Sequence, residues 1–83
     1  MILKYTEDAA EKIRKACAKN KELERALEKK IAFILKNPEQ SKPLRNVLTG
    51  ERRVHLMKSF VLRYTVEGDT IYILDFDHHD NIY

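Results

Sequence analysis

The sequence is poor in residues on which several common kinds of site depend. It contains one cysteine, two glycines and two prolines among 83 residues. The single cysteine, Cys17, cannot form an internal disulfide, which predicts a reducing compartment. It lies in an apolar helical stripe, which argues against a catalytic thiol. The chain also has no glycine-rich phosphate loop, no nucleophile elbow and no paired catalytic carboxylates.

Long apolar runs are absent as well. No segment approaches the ~20 apolar residues needed to cross a membrane. The three residues before Lys4 are too few for a signal sequence, so we expect a cytoplasmic protein with no membrane contact. The composition, 43% apolar and 35% charged, is typical of a folded globule. A chain of this length has room for one core, so we expect a single domain over residues 1–83.

The charges are unevenly distributed, although the net charge is only +3. Residues 67–80 contain five acidic residues and no lysine or arginine. Residues 42–63 contain a single acidic residue, Glu51, and six basic ones: Lys42, Arg45, Arg52, Arg53, Lys58 and Arg63. This basic stretch predicts a local positive field that could face nucleic acid. A solvated strand face explains the same charges equally well.

The N-terminal half has the pattern of a short strand followed by two helices. Ile2–Tyr5 is mostly apolar, and Thr6 then provides a hydroxyl cap for a helix that ends near Asn20. Apolar residues recur at steps of three and four over residues 21–36, which predicts a second helix. The pattern stops at Asn37, directly before a proline.

Three apolar stretches in the C-terminal third predict an antiparallel meander: Val54–Leu56, Phe60–Val66 and Ile71–Phe76. We therefore predict an α+β fold, a two-layer β-α-α-β-β-β domain in which the helical hairpin covers one face of the sheet. Side-chain alternation makes Arg53 and His55 neighbours on the other face, which we expect to be bare and basic. Three further residues are expected on that face: Val61, Arg63 and Thr65.

Two registers fit the last hairpin, which turns at Gly68. A three-residue loop pairs Tyr64 with Tyr72, and the apolar match of the following residues favours it. Those following pairs are Leu62 with Leu74 and Phe60 with Phe76. A two-residue loop pairs Tyr64 with Ile73 instead.

Two histidines near these cations are compatible with metal-free cleavage of RNA. His55 lies within a predicted strand, and His79 lies in a polar turn beyond the sheet. One imidazole would remove the 2′-hydroxyl proton and the other would protonate the leaving oxygen, while cations stabilise the phosphorane charge. The six basic residues of the 42–63 stretch are the phosphate-contact candidates. Tyr83 is a candidate for stacking on a base, although an aromatic there could equally pack against the sheet edge.

A metal site is a weaker interpretation of the C-terminal residues. His78, His79 and Asp80 are consecutive, so their side chains point apart, and no cysteine or helical pair of ligands completes a site. We therefore expect no metal and no cofactor.

Four short motifs accompany this order of elements: Pro43-Leu44, Gly50–His55, Phe60–Tyr64 and Asp77–Tyr83. Together they resemble the RelE/ParE toxin superfamily of toxin-antitoxin systems, and the histidine-ended tail is most similar to the YafQ-like branch. The resemblance implies a ribosome-dependent endoribonuclease that cuts mRNA and inhibits translation. It also implies a cognate antitoxin that holds the toxin inactive and through which the complex binds operator DNA.

Residue by residue, the resemblance implies His79 as general acid and His55 as general base, with roles that can be exchanged. Arg53 falls near the phosphate-binding cations of the strand, and Tyr83 matches the terminal aromatic that completes the site. The branch that poisons gyrase, which is ParE-like and cuts no RNA, is one alternative. An inactive homologue that only binds antitoxin is another.

Three positions depart from the family pattern. Val61 stands where many RelE-type members have arginine. Lys42 and Ser59 stand where YafQ-type members tend to have a histidine and an acid. These departures bear on the set of cations and on the identity of the general base, and less on the fold.

Overall fold

The computed structural model describes residues 2–37 and 51–78. The elements in chain order are β1 (Ile2–Tyr5), α1 (Glu7–Ala18), α2 (Lys21–Lys36), β2 (Arg52–Leu56), β3 (Phe60–Glu67) and β4 (Thr70–His78). The strands form one sheet in the order β1-β4-β3-β2, in which only the β1–β4 pair is parallel. The predicted α+β class and order of elements are confirmed. Neither described helix has the length and apolar character to span a membrane.

Both helices begin at side-chain caps that the sequence predicts or allows. Thr6 Oγ1 accepts the N–H of Ala9 at 3.1 Å, and Asn20 Oδ1 accepts the N–H of Leu23 at 3.0 Å. Each cap satisfies a backbone donor that the start of a helix leaves unpaired. The second helix ends at Asn37, whose N–H donates to the carbonyl four residues earlier. Its bounds are therefore the predicted ones.

The helices cover one face of the sheet and form the apolar core with it. The buried members are Ala9 and Cys17 from α1, Leu23, Leu27 and Ile34 from α2, and Leu56, Leu62, Tyr64, Ile71, Ile73 and Phe76 from the sheet. Burial of a large apolar side chain contributes about 1.5–3 kcal/mol. Burial also raises the pKa of the Cys17 thiol, which agrees with a packing role for that residue.

The hairpin between β3 and β4 adopts the tighter of the two predicted registers. Glu67 opposes Thr70 across a two-residue turn, and Tyr64 opposes Ile73. The three-residue loop favoured by apolar matching is wrong. Gly68 explains the difference, because its φ of +59° is readily adopted by glycine and allows the shorter turn.

A β-bulge interrupts the same strand pair four residues further along. Arg63 opposes Asp75 whereas its neighbour Tyr64 opposes Ile73, so β4 contains one extra residue, Leu74. A bulge of this kind changes which residues of a strand face each side of the sheet. In β4, odd-numbered residues face the core before the bulge, and even-numbered residues face it afterwards.

The bulge also changes the cross-strand partners. Leu62 opposes Phe76 and Phe60 opposes His78, so the predicted partners Leu74 and Phe76 are each wrong by two residues. The core nevertheless retains an aromatic contact there, because the rings of Phe60 and Phe76 stack with centroids 5.4 Å apart.

Thr6 connects the start of α1 to this bulge. Its N–H donates to the carbonyl of Ile73 at 3.0 Å, and its hydroxyl donates to the carbonyl of Leu74 at 3.0 Å. The same hydroxyl oxygen accepts the capping bond from Ala9. One side chain therefore provides a donor at the bulge and an acceptor at the helix start.

Replacing Thr6 with alanine should lower the free energy of unfolding by about 1–2 kcal/mol, because the cap and the bond to the bulge are lost together. Thr6→Ser keeps the hydroxyl and should lose less than half of that amount. Urea denaturation followed by circular dichroism measures both values. An equal loss in the two variants would contradict the role given to the hydroxyl.

Candidate functional site

Two rows of side chains cross the sheet on the face opposite the helices. Cross-strand register defines the first row as Arg53, Arg63 and Asp75, and the second as His55, Val61 and Asp77. Adjacent strands are about 4.8 Å apart, so each row spans about 10 Å between its outer Cα atoms. The prediction that Arg53 and His55 are neighbours on this face agrees with the strand register.

This face is less open than the sequence predicts. Val61 is fully buried and Thr65 is 9% exposed, although both lie away from the helical layer. The expectation of a bare face is wrong at these two positions, which belong to β3, a strand flanked on both sides. Many RelE-type members have arginine at the position of Val61, and here that position is a buried apolar one that presents no cation.

The Cα atoms of Arg53 and Arg63 lie directly opposite each other on neighbouring strands. Like charges so placed repel each other. Glu51 offsets part of this charge, since its Oε2 lies 3.2 Å from Nη1 of Arg63. Within the described residues, the buried Nε of Arg63 has no hydrogen-bond acceptor. Two guanidinium groups that lie opposite each other on neighbouring strands are an arrangement that can bind an anion.

The remaining candidate cations of β2 and its hairpin are placed differently. Arg52 opposes the core residue Tyr64, so alternation puts it on the helix-facing side and away from Arg53. Lys58 is exposed at the tip of the β2–β3 hairpin, where its φ is +67°. His55 is exposed on the edge strand. The fold therefore groups Arg53, His55 and Arg63, and not Arg52.

A third histidine lies on the opposite face of the sheet. His78 is exposed, and its ring meets the edge of the Phe60 ring with centroids 5.6 Å apart. The backbone N–H of His78 donates to Oδ1 of Asp77 at 2.7 Å. Sequence reasoning considered His78 only as a metal ligand, because an unbroken alternation does not reveal its contact with Phe60. The sequence does contain a signal for this contact. Leu62 and Phe76 match as apolar cross-strand partners, and that register places His78 opposite Phe60.

Several candidates lie outside the described residues: Lys42, Arg45, His79, Asp80 and Tyr83. Their predicted roles stay predictions. Within residues 2–37 and 51–78, no group of three or more histidine, cysteine, aspartate or glutamate side chains is placed to hold a metal ion.

Lys12 of α1 binds the two aspartates near the end of β4. Its Nζ lies 3.1 Å from Oδ1 of Asp75 and 3.3 Å from Oδ2 of Asp77. The hydrogen bond to Asp75, reinforced by the one to Asp77, raises the pKa of Lys12 against a smaller opposing effect of desolvation. This contact holds the strand end that leads to the C-terminal motif, and it draws both carboxylates toward α1.

Replacing Lys12 with methionine should lower the free energy of unfolding at neutral pH by about 0.5–1 kcal/mol, a value reduced for a partly exposed pair. Because folding raises the pKa of this lysine, its contribution is complete below about pH 10 and disappears as the pH rises through the folded-state pKa. Urea denaturation at several pH values should show wild type and variant converging in alkali. Lys15→Met is the control, since Lys15 lies 3.6 Å from Glu11 of its own helix; a difference that persists in alkali would contradict the assignment.

A four-stranded sheet covered on one face by a helical hairpin, with a guanidinium pair and a histidine on the other face, defines a small two-layer α+β domain with a candidate anion site. The family model described as "ParE toxin of type II toxin-antitoxin system, parDE" matches residues 3–83. A predicted toxin of Methanocaldococcus jannaschii, RelE4, is 44% identical over 73 residues, which cover 86% of this chain and 78% of that protein. The chain belongs to the RelE/ParE superfamily of toxins of type II toxin-antitoxin systems.

Solved structures show the same fold at low sequence identity. The Escherichia coli DinJ-YafQ toxin-antitoxin complex contains a chain with a TM-score of 0.79 and 15% identity, covering 98% of this chain and 94% of that one. A YoeB/ParE toxin from Agrobacterium tumefaciens has a TM-score of 0.86 and 14% identity, covering 95% of this chain and 99% of that one. These similarities establish the shared architecture.

Proposed function

We propose that this toxin is a ribosome-dependent mRNA endoribonuclease that inhibits translation in the cytoplasm. The observation that carries the proposal is the grouping of His55 with Arg53 and Arg63 on one face of the sheet. An imidazole beside two guanidinium groups combines a proton-transfer group with cations that stabilise phosphate charge. The resemblance of the C-terminal motif to the YafQ-like branch supports the same chemistry.

The proposed reaction needs no metal. A general base removes the proton of a 2′-hydroxyl, and the 2′-oxygen attacks the adjacent phosphorus. The bond from phosphorus to the 5′-oxygen breaks, and a general acid gives that oxygen a proton. The products are a 2′,3′-cyclic phosphate and a 5′-hydroxyl.

The residues take the following roles in this reaction. His55 is the base and His79 the acid, or the reverse, because histidine is the side chain best suited to both parts of a proton transfer. Arg53 and Arg63 bind the phosphate that becomes a phosphorane. Further contacts to the mRNA are assigned to Lys58, Lys42 and, as a stacking residue, Tyr83.

Single-turnover cleavage of mRNA on programmed ribosomes tests the histidine assignment. His55→Ala and His79→Ala should each slow cleavage by about 10²- to 10⁴-fold, the range for loss of a general acid or base. His78→Ala is the matched control and should cleave at nearly the wild-type rate, since His78 packs on Phe60 on the opposite face. Full activity of both the His55 and the His79 variants would remove the assignment.

Glu51 should limit RNA binding, because it neutralises Arg63. Glu51→Gln removes that charge and should lower the Kd for a short single-stranded RNA about fivefold, equivalent to about 1 kcal/mol. Fluorescence anisotropy at constant ionic strength measures the change. Glu67→Gln is the control, since Glu67 is exposed at the far end of β3; equal gains in both variants would indicate an effect of net charge alone.

A second candidate is a ParE-like toxin that acts on DNA gyrase, which the matching ParE family model favours. The fold is compatible with either activity, since function depends on the site and not on the architecture. A gyrase supercoiling assay beside a translation assay separates them: inhibited supercoiling with intact mRNA would replace the nuclease proposal. An inactive, antitoxin-binding homologue is the third candidate, and growth arrest on expression would contradict it.

The proposed partner is a cognate antitoxin encoded in the neighbouring reading frame. The DinJ-YafQ similarity supports it, because that structure is a toxin-antitoxin complex. In this proposal the antitoxin is disordered alone, folds on contact with the toxin and covers the site. The complex binds operator DNA through the antitoxin, and the toxin reaches mRNA only after release.

A further inference from the structure

The last part of β4 lies at an edge of the sheet. β1 pairs with β4 as far as Ile73, so within the described residues β4 has no neighbouring strand on that side from there onward. Aspartate side chains accept two backbone donors of this segment. Asp75 Oδ1 accepts the N–H of Phe76 at 2.9 Å. Asp77 Oδ1 accepts the N–H of His78 at 2.7 Å. Both carboxylates are therefore held close to the backbone of their own strand.

One lysine of α1 binds both of these carboxylates. Nζ of Lys12 lies 3.1 Å from Oδ1 of Asp75 and 3.3 Å from Oδ2 of Asp77, and the three side chains are between 22% and 39% exposed. The pair of Lys15 with Glu11 on the same helix joins side chains that are 70% and 53% exposed. Because solvent screens a partly buried ion pair less than an exposed one, the first contact is the better suited to fixing a carboxylate. We call it the Lys12 bridge.

Asp75 has another cation beside it that it does not bind. Its Cα lies opposite that of Arg63 on β3, a position in which side chains of opposite charge normally pair. Within the described residues, Arg63 is instead bound by Glu51 through Nη1, and its buried Nε has no acceptor. A buried donor left without an acceptor lowers stability. The absence of the local pair therefore calls for a functional explanation.

The Lys12 bridge affects the charge around the guanidinium groups. Arg53 and Arg63 lie opposite each other, and Glu51 already binds one of them. If Asp75 turned to Arg63, a second carboxylate would occupy the donors that an anion needs. We propose that Lys12 is a positioning residue of the anion site: it holds the Asp75 carboxylate away from Arg63 and thereby keeps that guanidinium available to a phosphate group.

This role differs from that of a cation that contacts the anion itself. Lys12 acts through Asp75, so it is needed only while residue 75 carries a negative charge. A lysine that bound phosphate directly would be needed whatever residue stood there. That the phosphate belongs to mRNA rests on the proposed function, whereas the competition between Lys12 and Arg63 for one carboxylate does not.

The side-chain N–H of Arg63 reports this competition directly. The full chain is labelled with nitrogen-15 arginine, and Arg63→Lys assigns the Nε–H resonance, which burial protects from exchange with water. In Lys12→Met this proton should move downfield, because it gains a carboxylate acceptor. Lys15→Met makes the same charge change on the same helix and should leave the resonance unchanged.

Binding of RNA measures the consequence for the anion site. The probe is a labelled oligouridylate of about six nucleotides, and fluorescence anisotropy at constant ionic strength gives its Kd. Lys12→Met should raise the Kd about fivefold, equivalent to about 1 kcal/mol. Lys15→Met should raise it less than about twofold, and Lys12→Arg, which keeps the cation, should likewise stay within about twofold of wild type. Circular dichroism confirms that each variant is folded.

Asp75→Asn provides the decisive background. Asparagine keeps an oxygen for the N–H of Phe76 but has no charge to neutralise Arg63. Adding Lys12→Met to Asp75→Asn should change the Kd less than about twofold. It should also leave the Arg63 Nε–H resonance near its wild-type position. The loss caused by Lys12→Met alone is thus expected to disappear when its intermediary is removed.

Four results would overturn the proposal. An unchanged Arg63 resonance in Lys12→Met would show that Asp75 does not turn to it. Equal losses of affinity in Lys12→Met and Lys15→Met would indicate net charge alone. A loss that persists with Asp75→Asn would make Lys12 a direct contact of RNA. Wild type that does not bind oligouridylate would remove the anion site itself. Absence of mRNA cleavage would instead contradict only the proposed function, since neither measurement depends on cleavage.

Discussion

The hydrogen bond from the Thr6 hydroxyl to the carbonyl of Leu74 lies at the bulge of β4. This bulge determines which residues of β4 lie on each face of the sheet. At this bulge the alternation of β4 reverses, so that Ile73 and Phe76 both reach the core. Because Thr6 also caps α1, the geometry of the bulge and the start of the helix are coupled through one side chain. Without this reversal, each residue of β4 beyond the bulge would lie on the other face of the sheet.

The bulge also determines which charges share the basic face. Beyond it, Asp75 and Asp77 fall in the rows of Arg63 and His55. β1 pairs with β4 as far as Ile73, and Lys12 of α1 binds both aspartates further along β4. Its position reduces their competition for the guanidinium groups, and Glu51 remains the carboxylate bound to Arg63. The face opposite the helices has a nearly balanced formal charge. Because Lys12 binds its two aspartates, the positive potential can remain on the β2 side of that face.

The edge formed by β2 combines part of the candidate site with a strained turn. Its outward side presents Arg53 and His55, and its end continues into the strained turn at Met57. Phe33 and the lysines of α2 complete a groove beside the same strand. Stability arises mainly from the helices and the inner strands, where the buried apolar side chains lie. Backbone strain lies at this edge, in the turn of Met57 and Lys58, whereas exposed apolar side chains occur at both edges, with Ile2 and Tyr5 in β1.

The sequence by itself determined the elements and their order, because caps and periodicity are local properties. Thr6 and the 21–36 stripe predicted the helices, and the apolar stretches predicted the strands. Four short motifs, above all those of the C-terminal half with its histidine-ended tail, indicated the family before any structural comparison. Local properties also placed Arg53 and His55 on one face, since alternation within an unbroken strand needs no partner.

Only the tertiary structure decided the register, the bulge and what they bury. The pairing of Tyr64 with Ile73 depends on the shorter turn at Gly68, although apolar matching favoured the longer one. The bulge at Leu74 accepts a hydrogen bond from Thr6, which lies 68 residues away in the chain. The complete burial of Val61, on the face away from the helices, likewise does not follow from alternation within its strand. The groove between α2 and β2 joins residues from two separate elements, so its shape follows from how those elements pack and not from any pattern within either one.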